Sequence, residues 1–210
     1  MQKKVKVLIC VSLVCVLGIL CGSVAVARSS TTVRMKNWGK VLKANSIKEY
    51  GEDEVYAKGT RINLKKKDIE QTKTFYVLTG MDEREATEKA VDYVAEREVL
   101  YQVAIDNGYE VTEQQVWEYI DELKKMIESA DNKEEALAVM REFDSEEDYW
   151  NYQFTVYKKS LPIQNYVRDV EQMYMQTNVY SEGNLEDTWQ EYFAQMKEQL
   201  VEQENFQVIK

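Results

Sequence analysis

One proline and eight glycines in 210 residues leave this chain few places to turn sharply. All-β domains and flexible linkers both need more of these two residues. The backbone therefore favours helices, and the apolar pattern agrees. Thr112 followed by Gln115 makes a capping box, and Val116, Ile120, Leu123 and Ile127 follow at spacings of four, three and four. Those spacings put all four side chains on one helical face.

The same signals recur along the chain. Lys66–Thr79 reads as a helix stopped by Gly80. Asp82 with Glu85 opens a longer one, Glu83–Asn107, which Gly108 ends. Asn132 with Glu135 starts a short helix through Ala136, Val139 and Met140, and Ser145 with Asp148 opens another. In that one Trp150, Phe154, Tyr157 and Leu161 form a stripe, which resumes at Ile163, Tyr166, Val167, Val170 and Met173. Pro162 lies between the two halves and removes a backbone donor, so a kink or a break is expected there. Asn184 caps a last helix with Trp189, Phe193, Met196 and Leu200 as its stripe. Val55–Leu64 suggests one or two extended pieces around Gly59, and Phe206–Ile209 alternates like a strand able to pair with them. The expected fold is mostly α. It is an irregular bundle of about six helices, with one small pair of short strands joining the start of the domain to the C-terminus.

Ahead of this domain, Val7–Ala27 holds 21 consecutive uncharged residues, preceded by Lys3, Lys4 and Lys6. A run of that length crosses a bilayer as a helix, and the flanking lysines favour an inside N-terminus. Ser23-Val24-Ala25-Val26-Ala27 has the small-x-small form of a signal-peptidase site. Residues 1–27 are therefore expected to be a cleaved signal peptide or an uncut signal-anchor transmembrane helix. Lipid attachment at Cys21 is disfavoured, because Leu20 and Gly18 stand where the motif wants a small and an aliphatic residue respectively. Residues 28–54, polar and without a sustained period, read mainly as a tether, although Trp38, Val41 and Leu42 are compatible with a short helix.

All three cysteines (Cys10, Cys15, Cys21) fall in the leading segment, and the chain has no histidine. Beyond residue 27 no disulfide is possible, and the usual thiol nucleophile, imidazole base and zinc ligands are missing. The acids occur in runs such as Glu146-Glu147-Asp148, the pattern of a solvated helix face. No catalytic residue, metal site or cofactor site is expected. Without Lys3, Lys4 and Lys6, 24 basic residues face 37 acids, a net of −13 that excludes nucleic acid as a natural partner. Aromatics are plentiful, and four lie off the core stripes: Trp117, Tyr149, Tyr152 and Tyr174. They are the candidate client-binding residues, since aromatics left over from a core suit a peptide-binding surface. The alternative is that each helix buries more than one face.

The order of elements over roughly residues 55–209 resembles the N-terminal chaperone domain of the SurA and PrsA proteins. The join Ala104-Ile105-Asp106-Asn107-Gly108-Tyr109-Glu110-Val111-Thr112 is similar to that family's helix–turn–helix junction. In that family the last helix and a short strand return to the first elements, as Asn184–Gln203 and Phe206–Ile209 would here. The resemblance implies the chaperone module alone, because a parvulin isomerase insert of about a hundred residues does not fit between Gln176 and Gly183. The implied function is a non-catalytic chaperone-like protein holding unfolded or partly folded exported polypeptides. It would sit on the outer face of the bacterial cytoplasmic membrane through residues 7–27, or be secreted after cleavage near Ala27. The alternative is a membrane-anchored helical module that binds one specific folded partner.

Overall fold

A computed structural model describes residues 31–47, 54–177 and 185–209. In chain order the elements are α1 (Thr31–Ile47), β1 (Val55–Lys58), β2 (Asn63–Lys65), α2 (Lys66–Leu78), α3 (Glu83–Asp106), α4 (Glu113–Ser129), α5 (Lys133–Met140), α6 (Glu146–Thr177), α7 (Leu185–Glu204) and β3 (Gln207–Val208). The protein is thus a mostly helical bundle with one small antiparallel sheet of order β2-β1-β3. The expected return of the C-terminus onto the first strand is present, with Ala57 opposite Val208 and Lys58 opposite Gln207. The third strand arises because Val55–Lys65 closes as a hairpin through Gly59, whose N–H donates to the Ile62 carbonyl at 2.8 Å.

Two apolar clusters hold the bundle. One joins α1, α4, α5 and α6, with Val116, Ile120, Leu123 and Ile127 among its buried members. The other packs Ala57 and Leu64 of the sheet against Ile69 and Tyr76 of α2 and Ala86, Ala90, Val94 and Ala95 of α3. The stretch expected as a tether contains α1, whose Trp38 and Leu42 are buried in the first cluster. Its approach to α5 depends on Gly39: a Cβ there would lie 2.5 Å from the Val139 carbonyl oxygen. The expected break at Pro162 is absent, for α6 runs unbroken through it and the ring is buried. Packing along both halves of the stripe outweighs one missing backbone hydrogen bond.

The expectation of a membrane anchor requires correction. Among the described residues no helix is long and apolar enough to cross a membrane. Residues 7–27, expected to supply a transmembrane helix and a membrane partner, lie outside the described residues. The helices with sufficient length, α3, α6 and α7, carry charged residues throughout.

The C-terminal end of α7 is fastened to the hairpin by Glu204, a buried carboxylate. It accepts the N–H groups of Arg61 at 2.8 Å and Ile62 at 3.2 Å, and the Arg61 guanidinium Nε–H at 3.2 Å. Its own carbonyl accepts Thr60 N–H at 2.8 Å. Asn205, with φ of 49°, then turns the chain into β3, a conformation that Asn tolerates better than most residues. Replacing the carboxylate leaves two turn N–H groups, the buried one of Ile62 and the part-buried one of Arg61, without an acceptor. Glu204→Ala is expected to lower stability by about 3 kcal/mol in urea unfolding. Glu204→Gln, which keeps one accepting oxygen, should recover part of that loss.

Candidate functional site

Successive residues of a helix point about 100° apart, and α3 uses this at its middle. Glu96 pairs with Lys197 of α7, Arg97 with Asp68 of α2 at 3.1 Å, and Glu98 with Lys159 of α6. Arg97 also bonds Glu98 through both Nε and a terminal nitrogen, at 3.1 and 2.7 Å. Burial pushes the Glu98 carboxyl up, but Arg97 and Lys159 more than reverse this and hold it below its ordinary value. Burial, and Arg97 beside it, pull the Lys159 ammonium below its usual value although Glu98 opposes them.

Over this charged strip lies a cavity of about 720 Å³, within the size range of small-ligand clefts. Its wall is drawn from the C-terminal part of α1, the first turns of α2, Arg97 of α3, the turn before α6, and α6 itself. Phe143, Tyr152, Val156 and Ile163 give it apolar surface, and Lys43, Lys67, Arg97 and Lys159 share the wall with Asp68, Asp144 and Asp148. Two further wall residues are incompletely satisfied. Asn45 and Ser160 are only 6% and 8% exposed, and neither Asn45 Nδ2 nor Ser160 Oγ has a hydrogen-bond partner. The Asn45 backbone is in use, its carbonyl accepting Gln71 Nε2–H at 3.0 Å. A buried unpaired donor costs about 1–3 kcal/mol.

The four aromatics singled out from the sequence do not share one groove. Tyr149 is in the first core cluster, edge-on to Phe143 and Trp150, and burial raises its phenol well above the ordinary value. Tyr152 lines the cavity, where burial pushes its phenol up to about 12 against the pull of Arg97. It stays protonated and available as a donor. Trp117 stacks on Phe154 at 4.8 Å on the α4–α6 face and is 37% exposed. Tyr174 belongs to a separate group with Trp189 and Tyr192, stacking on Tyr192 at 4.8 Å. Of the four, only Tyr152 belongs to the cavity.

The cavity's polar residues were not singled out in the sequence, because they come as isolated positions from four distant segments. One signal was present. Arg97 and Glu98 interrupt the apolar positions of α3 between buried Val94–Ala95 and Val99–Leu100, where charge demands a partner. Among the described residues no group of three or more His, Cys, Asp or Glu side chains is placed to hold a metal ion. No protein-family model, curated protein or solved structure matches the chain.

A neutral side chain at position 98 would leave Lys159 and Arg97 close together with their shared counter-charge gone. Glu98→Gln is expected to cost about 3 kcal/mol at neutral pH by chemical denaturation. Because Glu98 is held below its ordinary value, its stabilisation is complete above the usual carboxylate range and is lost as pH falls through the lower folded value. The variant should therefore show a smaller stability loss than the parent between neutral and acid pH.

Proposed function

We propose that the protein is a non-catalytic, chaperone-like module that holds unfolded or partly folded segments of exported polypeptides. The observation that carries this reading is the cavity between α1, α2, α3 and α6. Its wall combines apolar surface from Phe143, Tyr152, Val156 and Ile163 with hydrogen-bonding side chains. An extended peptide offers a backbone donor or acceptor at every step, so such a wall binds main chain with little regard to sequence. The return of α7 and β3 to the first strand also supports kinship with the SurA and PrsA chaperone module, as does the Gly108 junction. The leader-like residues 1–27 support export.

The test is aggregation of a chemically denatured model client with the full chain present. Suppression at stoichiometric to several-fold excess, independent of added nucleotide, is the expected result, and it should weaken in Tyr152→Ala. Absence of suppression at several-fold excess counts against the reading. A prolyl-isomerase assay is expected to stay at the buffer rate.

One observation favours a different kind of partner. At the ends of α6 and α7, Tyr174, Trp189 and Tyr192 form an aromatic group beside exposed Met173, with Tyr192 42% exposed. A compact patch of this sort suits one specific folded protein. Recovery of a single stoichiometric partner, lost in Tyr192→Ala, would select that reading over general holding.

A further inference from the structure

Three features of the cavity wall share one sign. The first is the pair of orphaned groups, Asn45 Nδ2 and Ser160 Oγ, both able to donate and both buried without an acceptor. The second is the start of α2. Its N-cap residue Lys65 makes no side-chain cap, and Lys67 and Asp68 of its first turn stand in the wall. The first N–H of this 13-residue helix, that of Lys66, donates to the Glu54 carbonyl at 2.9 Å, and the rest of its first turn carries the partial positive charge of a helix start beside Asp68. The third is Lys67 itself, which has no ion-pair partner among the described residues, whereas two of the three aspartates of the wall are ion-paired and the third accepts a hydroxyl. Asp68 pairs with Arg97 at 3.1 Å, Asp144 with Lys43 at 2.5 Å, and Asp148 accepts the Ser145 hydroxyl at 2.7 Å.

We infer that this cavity recognises a carboxylate carried by the held polypeptide, with Asn45, Ser160 and Lys67 as its recognition residues. The inference rests on the polypeptide-holding reading and adds the chemical group that anchors the chain. A carboxylate is acceptor-only, with two oxygens to meet such donors, whereas a terminal amide has one accepting oxygen and adds two N–H donors. Its charge also meets Lys67, which no acid of the wall pairs among the described residues. The carboxylate comes from one of two sources: the free C-terminus of a client or an acidic side chain within it.

The full chain is titrated calorimetrically with three N-acetylated octapeptides of alanine and tyrosine. One ends in a free carboxylate, one in an amide, and one in an amide with a single internal glutamate. At least one acidic peptide is expected to bind about tenfold more tightly than the neutral amide, as charge-assisted hydrogen bonds allow. An advantage for the free acid alone identifies the C-terminus, and an advantage for both identifies carboxylates in general. Lys67→Glu should abolish the advantage and Lys67→Met should reduce it, with circular dichroism confirming that both variants fold. Equal affinity for all three peptides, or no binding of any, overturns the inference. If denatured client is still protected from aggregation in that case, only the carboxylate site falls; if protection is also absent, the holding function falls with it.

Discussion

Three consecutive residues in the middle of α3 tie that helix to three others. Glu96 reaches α7, Arg97 reaches α2 and Glu98 reaches α6. A helix that must send charge in three directions cannot rotate about its axis without breaking at least one pair. The two apolar clusters supply most of the burial, and apolar contact is non-directional. The charged strip adds direction, because part-buried opposite charges drawn apart keep part of their desolvation cost and lose its compensation. It also explains why the interior is not apolar throughout. Where charge is used to lock helices together, side chains cannot close fully over it, and the cavity lies directly on this seam.

Apart from the pairing of the C-terminal strand with β1, the sequence patterns that survived folding were local ones. Thr112 and Gln115 exchange both bonds of a capping box, Asp82 accepts from Arg84 and Glu85, and Ser145 accepts from Asp148 N–H. Each involves residues a few positions apart and is decided by the chain itself. What escaped the sequence depends on distant neighbours. Trp38 and Leu42 become core residues only because α5 offers a surface that Gly39 can approach. Pro162 is accommodated because α6 is packed along its length. The aromatic candidates separated for the same reason. Helical spacing said that Trp117, Tyr149, Tyr152 and Tyr174 left their own stripes, but not which neighbour each would meet.

The proposed holding function draws on this division. Local signals build a stiff helical frame with no disulfide available beyond residue 27. The long-range pairs leave a polar seam within it. A seam with unspent donors is suited to main chain and carboxylate groups, which every polypeptide carries. An apolar groove would select for hydrophobic side chains instead.

Glu204 and Arg61 are 143 residues apart in the chain. Their contact is thus among the most non-local in the fold, and its consequence is temporal. Neighbouring helices form contacts within short loops, at modest entropic cost. The hairpin, made early in synthesis, must wait for the end of α7 before its turn is fastened and its sheet acquires a third strand. Until then β1 presents an open edge, the kind of surface on which unfinished chains stick to one another. A protein suited to shielding other chains thus passes through an unshielded stage of its own, which ends only when Glu204 and β3 arrive.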